Sequence, residues 1–211
     1  MPVILKETTQ NGLSIGVWEI TETEKALCEK AHLSKEEDAT LNSFKNKGRR
    51  LQWLAVRALL CEFLHPRPTV AYQENGKPFF IDSKTELSIS HSGKHAAIAL
   101  SSSIIPGIDV EEIHPKILKI ANRFTNEQEK AYLKDETLTE QLCVIWAAKE
   151  VLYKTHPHGM LSFRENLFIS EFKLSDKFEF EGTLKKDGTT THYSLIGERL
   201  KDYILVYTKE G

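Results

Sequence analysis

Apolar residues recur along this chain in two rhythms, one of strands and one of helices, and each rhythm runs through its course twice. After an Asn11-Gly12 turn, Leu13, Ile15, Val17 and Ile20 gather around Trp18 with strand character. Thr21 with Glu24, and Ser34 with Glu37, form capping-box patterns that predict helices to about His32 and to near Phe44. A third helix is predicted from about Lys47 to Leu64, with Leu51, Leu54, Ala55, Ala58, Leu59 and Cys61 on its apolar side. Pro66-Arg67-Pro68 stops it. Short strands follow at 69–72, 79–81, 87–90 and 96–100. The second course opens with a strand at 104–111 that leads to Pro115, a favoured first helical residue. Thr125 with Gln128 opens a short helix to Leu133, and Thr137 with Glu140 a long one to about Lys154. Beyond the His156-Pro157-His158-Gly159 break come strands near 165–173, 177–184, 190–196 and 202–208, two of them separated by the hairpin signal Asp187-Gly188. Strand, three helices, several strands, and the same order again predict an α+β fold of two similar halves, 1–103 and 104–211. Pseudo-symmetric halves create a cleft, and the Gly107 stretch that opens the second half is expected at that seam.

Composition narrows the picture modestly. Hydrophobic residues at 40% and charged residues at 27% are ordinary for a soluble globular protein. A net charge of −2 argues against a general nucleic-acid binder. No apolar run approaches a bilayer span, and the first residues show no secretory signal, so a cytoplasmic protein with no membrane partner is expected. Cys28, Cys61 and Cys143 lack zinc-site spacing and read as reduced core thiols.

The chemistry concentrates in Gly107-Ile108-Asp109-Val110-Glu111-Glu112 and in the helix Trp146 to Lys154. Alternation on a strand projects Asp109 and Glu111 to one side, where two carboxylates repel unless a cation lies between them. On the helix, Glu150 and Lys154 are four apart and share a face. Three carboxylates and an ammonium suit a magnesium ion holding a phosphate. Either stretch alone reads more readily as surface charge, so the two carry weight only together. Asn75-Gly76-Lys77-Pro78 would present Lys77 on a stiff turn, or be an ordinary hairpin. Ser88-Ile89-Ser90-His91-Ser92 ends a strand with hydroxyls and an imidazole suited to phosphate oxygens, though His91 is also compatible with a structural role. No nucleophile-elbow pattern accompanies them, which argues against a serine hydrolase. Lys45, Lys47, Arg49 and Arg50, with Arg57 further in, form either an anion site or a solvated basic helix start. His156 and His158 have no acidic partners in pattern and read as structural.

Taken in order, GKPFF, ISHS, GIDVEE and WAAKEVLYK, with RRLQWLAVRALL ahead of them, resemble the signatures of the 4′-phosphopantetheinyl transferases. The likeness runs from about residue 44 to 154 and is to the large subgroup represented by surfactin-synthetase activators and enterobactin synthase component D. The resemblance implies a monomeric pseudodimer with coenzyme A bound between its halves. It further implies transfer of the phosphopantetheine arm of coenzyme A to a serine of an apo acyl or peptidyl carrier protein, with release of adenosine 3′,5′-bisphosphate. Carried over by motif, Asp109, Glu111 and Glu150 would hold Mg2+; on the chemistry of phosphoryl transfer, Glu150, directly or through a metal-bound water, is the candidate for taking the serine proton. Lys154 would stabilise the pyrophosphate or leaving group. Ser90 and His91 would meet the nucleotide's phosphate end, and Lys77, Arg49 and Arg50 other phosphate or adenine groups. Val110 stands where some relatives carry a further ligand, so water is expected to fill that position. Gln52 and Val56 also depart from common family residues. The carrier surface is expected to include the loop after Lys154 and apolar residues near Phe124 or Leu133. The rival readings are a non-catalytic coenzyme A or carrier-protein binding module and a Mg2+-dependent nucleotide phosphohydrolase.

Overall fold

A computed structural model of the chain describes residues 2–156 and 161–209, and divides into two compact units, Met1–Pro106 and Gly107–Gly211. In the first, strands β1 (Val3–Thr8) and β2 (Ser14–Glu19) form a hairpin whose turn places Gly12 at φ 88°, a left-handed conformation that glycine adopts without strain. Helices α1 (Glu24–Ala31), α2 (Lys35–Ser43) and α3 (Lys47–Phe63) follow, then a small pair, β3 (Val70–Tyr72) and β4 (Pro78–Phe80), and a hairpin of β5 (Glu86–Ser92) and β6 (His95–Ser101). The main sheet is antiparallel in the order β1-β2-β6-β5. Leu54, Ala58 and Leu59 of α3 pack with Ala96, Ile98 and Leu100 of β6 to make the core.

Local chemistry explains where these elements begin. The Ser34 capping box forms in both directions: the Ser34 hydroxyl accepts from Glu37 N–H, and Glu37 accepts from Ser34 N–H. The expected Thr21–Glu24 box does not form; Thr23 is the cap, accepting from Ala26 N–H. Strand β1 was not predicted, because as an edge strand it leaves most of its side chains exposed and its apolar rhythm is short.

Glu37 does more than cap. Its carboxylate accepts hydrogen bonds from the Arg67 guanidinium and lies 3.5 Å from Arg57 Nε, both arginines being buried with it. Arg57, read from the sequence within a cluster that was either an anion site or a solvated basic helix start, is in neither setting: it is stacked 3.7 Å above the Trp53 ring and donates to the Tyr72 hydroxyl. Burial by itself would raise the Glu37 carboxyl, but Arg67, the Ser34 N–H and Arg57 outweigh it and hold the group below its ordinary value. A depressed carboxyl contributes stability that is present above the unfolded value and lost as pH falls through the folded one. Glu37→Gln is therefore expected to cost about 3 kcal/mol at neutral pH by stranding two buried cations. The gap from the parent should shrink as pH drops below the usual carboxylate range, which urea melts across pH will show.

In the second unit β7 (Ile108–Glu112) leads through a 3₁₀ turn, Pro115–Lys119, into α4 (Ala121–Phe124) and α5 (Glu127–Tyr132), and a second 3₁₀ turn enters α6 (Leu138–Thr155). Strands β8 (Leu167–Ile169), β9 (Lys177–Lys186), β10 (Thr189–Leu200) and β11 (Tyr203–Thr208) complete an antiparallel sheet in the order β7-β11-β10-β9-β8. The β9–β10 hairpin turns at Asp187 and Gly188, both at positive φ. Strand β7 starts at Ile108 and not at 104, because the Ser101 hydroxyl accepts from the Ser103 and Ile104 N–H groups and Pro106 has no N–H to give. Helix α5 is capped one residue later than expected, by a reciprocal Asn126–Glu129 box. Thr137 makes no side-chain cap bond to α6. All three cysteines are free thiols. Among the described residues no helix is long and apolar enough to cross a membrane.

Candidate active site

The acidic strand and the long helix meet within the second unit. Strand β7 pairs with β11 so that Asp109 stands opposite Val206 and Glu111 opposite Ile204. Paired residues of an antiparallel ladder project to the same side. Val206 and Ile204 belong to the core shared with α6, so Asp109 and Glu111 face that helix. From the helix, Trp146, Glu150 and Lys154 come back at intervals of four, one stripe along one face. The Lys154 ammonium donates to Asp109 Oδ1 at 2.7 Å and to the Ile108 carbonyl at 2.9 Å. Two turns before it, the Trp146 indole N–H donates to Glu111 Oε1 at 3.0 Å. These two contacts set strand and helix antiparallel and leave Glu150 between the rungs.

The electrostatics agree. Asp109 is only 3% exposed. The Glu150 carboxyl is raised from its ordinary value, first by burial and then by the negative charge of Asp109, with Lys154 pulling the other way. Asp109 and Glu150 thus feel one another as like charges, an arrangement a cation relieves. Among the described residues no three His, Cys, Asp or Glu side chains stand gathered as a finished metal cage. Asp109 is turned to Lys154 and Glu111 to Trp146. The donors available are all carboxylate oxygens, the type a hard divalent cation such as Mg2+ takes, so Asp109, Glu111 and Glu150 fit that ion. Trp146 was quoted in the sequence motif but given no role there; its indole N–H, a donor that a half-buried position must satisfy, was the available signal.

The remaining expected residues belong to the first unit. Arg50 is held by Glu24 through two hydrogen bonds, at 3.0 and 2.6 Å, and also donates to the Leu41 carbonyl. An anion drawing on Arg50 competes with that ion pair. Arg49 lies over the Phe44 ring at 5.8 Å. Lys77 follows Gly76, which has φ 84°, and its ammonium is 3.9 Å from Glu86. Ser90 is buried and His91 half-buried on β5, opposite Ala97 and Ala96 of β6. Phe124 corrects an expectation: at 1% exposure, packed against the Trp146 ring, it cannot present a carrier-facing surface. Leu133 is half-buried, and 157–160, including His158, lie outside the described residues.

Known proteins show the same pattern of likeness. The family model of the 4′-phosphopantetheinyl transferase superfamily matches residues 106–208, nearly the whole second unit. The 4′-phosphopantetheinyl transferase AcpT of Salmonella typhimurium is 35% identical over 123 residues, 56% of this chain and 64% of that protein. A putative 4′-phosphopantetheinyl transferase of Synechocystis is 31% identical over 158 residues, 70% of this chain and 62% of that protein. The 4′-phosphopantetheinyl transferase Sfp of Bacillus subtilis is 38% identical over 93 residues, 42% of this chain and 41% of that protein. In each case the chain spans less than two thirds of the relative's own length.

Proposed function

We propose that the chain is a 4′-phosphopantetheinyl transferase, the superfamily whose model matches its second unit, and that it moves the phosphopantetheine arm of coenzyme A onto a serine of an apo carrier protein. Adenosine 3′,5′-bisphosphate is the other product. The observation that carries the reading is the meeting of Asp109, Glu150 and Lys154 on facing elements, with Glu111 on the same strand face. Phosphoryl transfer needs positioning and charge neutralisation more than a covalent nucleophile. Asp109, Glu111 and Glu150 would hold Mg2+, which when bound offsets the pyrophosphate charge. Glu150, kept basic by burial, takes the proton from the attacking serine. The serine oxygen forms the new bond to phosphorus as the bond to the bisphosphate oxygen breaks, and Lys154 steadies the charge on the departing side. Ser90, His91, Lys77 and Arg49 serve the nucleotide end in this proposal, with Arg50 available once Glu24 yields it. Action as a monomer, whose two units serve as the halves of a pseudodimer, belongs to the same proposal and rests on the family resemblance.

The test is intact-mass spectrometry of apo carrier proteins incubated with this protein, coenzyme A and Mg2+. The expected result is a gain of one phosphopantetheine arm on the carrier, abolished by chelating the metal and restored by adding it back. No gain on acyl or peptidyl carriers, with coenzyme A demonstrably bound, would identify a binding module. Release of free phosphate or a nucleotide monophosphate would identify a hydrolase.

A further inference from the structure

A fully buried ion pair lies next to the site and is used by none of the chemistry above. Lys149 and Glu129 are both 0% exposed in their side chains, and their charged atoms are 2.8 Å apart. The Lys149 ammonium spends its other two hydrogens on main-chain carbonyls, Phe124 O at 2.6 Å and Phe163 O at 2.8 Å. Glu129 accepts in turn from the Asn126 and Ile169 N–H groups, both at 3.0 Å. The two carbonyls that Lys149 grips belong to the residues whose rings enclose Trp146. Phe124 meets the indole edge-on with centroids 5.2 Å apart, and Phe163 lies tilted against it at 5.2 Å. The enclosed indole N–H is the group that donates to Glu111. Phe124 ends α4 and Phe163 lies in the segment before β8, so the ammonium ties the main chain of both to α6.

We propose that Lys149, neutralised by Glu129, is a positioning residue for the Glu111 carboxylate. It fixes Phe124 and Phe163, these fix the Trp146 indole, and the indole N–H fixes Glu111. The proposal rests on the reading of Glu111 as a metal-holding residue. An ion pair with no solvent exposure is costly to build, and apolar replacements of such pairs are often as stable or more so. Partners that orient a metal-holding side chain typically govern metal affinity by 10–100-fold, so the pair's value is sought in orientation.

The experiment follows the Trp146 indole N–H by ¹H–¹⁵N NMR, assigned through Trp146→Phe. Metal binding is measured alongside, by electron paramagnetic resonance of Mn2+ with coenzyme A present. In Lys149→Met, the Trp146 resonance should leave its carboxylate-bonded position and exchange with water about tenfold faster, as expected for loss of one hydrogen bond. The Trp18 indole, which donates to Glu22 elsewhere in the chain, should not move. Mn2+ binding should weaken at least about tenfold, with the KM for coenzyme A unchanged. Because Lys149→Met strands a buried carboxylate, the double variant Glu129→Gln/Lys149→Met removes both charges and keeps the fold within reach. It is expected to melt near the parent and show the same indole and metal changes. A folded double variant with an unmoved Trp146 resonance overturns the proposal. A moved resonance with unchanged Mn2+ binding overturns the assignment of Glu111 to the metal instead.

Discussion

Asp109→Asn is expected to lower kcat/KM for carrier modification by about 10³-fold, equivalent to ~4 kcal/mol of transition-state stabilisation, while leaving the protein folded. Asparagine keeps the volume of a side chain that is almost fully buried, so no cavity opens. The charge it removes enters the balance twice. Losing it reduces the 2.7 Å Lys154 contact from an ion pair to a neutral hydrogen bond, and that partly exposed pair is of modest worth. Losing it also relieves Glu150, whose carboxyl Asp109 pushes upward. The two effects oppose, and the melting temperature should shift by only a few degrees. Catalysis has no such compensation. One carboxylate donor disappears, and the Lys154 ammonium, still held by the Ile108 carbonyl, exchanges an ionic partner for a neutral amide oxygen that aims it less firmly. Rates from intact-mass time courses and a thermal melt followed by circular dichroism separate the two expectations. Near-parent turnover by a folded Asp109→Asn protein would remove Asp109 from the machinery.

The strand pattern and helix spacing carried most of this geometry, for reasons visible residue by residue. Period-two alternation put Asp109 and Glu111 on one side, and the ladder to β11 shows the same two residues facing α6. Period-four spacing put Glu150 and Lys154 on one stripe, where Lys154 reaches Asp109. Both are local rules that hold whenever the element forms. The Ser34–Glu37 box was legible for the same reason, since its partners lie three residues apart. What local rules missed depends on distant groups. Arg57 looked like part of a basic patch until the fold brought Trp53, Tyr72 and Glu37 around it. Arg50, in the same run, proved to be tied to Glu24 of another helix. Phe124 looked available as a surface apolar residue because nothing in its own short helix shows the Trp146 ring that covers it. Lys149 is the sharpest case. Its neighbours in sequence give it no role, and only the return of Phe163, Glu129 and Phe124 from three other segments makes it a buried centre. Edge strand β1 was missed on the opposite ground, having too little buried surface to leave a pattern.

Gly107→Ala is expected to cost about 1–3 kcal/mol of stability and to reduce kcat/KM by about 10²-fold, measured well below its melting temperature. Its backbone is not in the left-handed region, so the reason for glycine is space. A Cβ at this position would lie 2.7 Å from the Val151 carbonyl oxygen, 2.8 Å from Val151 Cγ1 and 3.0 Å from Thr155 Cγ2. The first of these is main chain in the middle of α6 and cannot rotate aside. The strand cannot easily yield either, because the Gly107 N–H donates to the Thr208 hydroxyl at 3.2 Å and its carbonyl accepts from Thr208 N–H at 3.0 Å. Relief comes only by parting β7 from α6, the two elements whose closeness lets Lys154 reach Asp109 and puts Trp146 against Glu111. An ångström of separation between reacting groups is enough to cost two orders of magnitude in rate. Gly188→Ala supplies the contrast. That glycine has φ 77° with nothing within 4 Å of an added Cβ, so alanine there brings backbone strain without collision. It should cost about 1 kcal/mol and leave the rate alone. If Gly107→Ala and Gly188→Ala lose stability alike and neither loses rate, the close approach of strand to helix is packing alone and does not set the catalytic geometry.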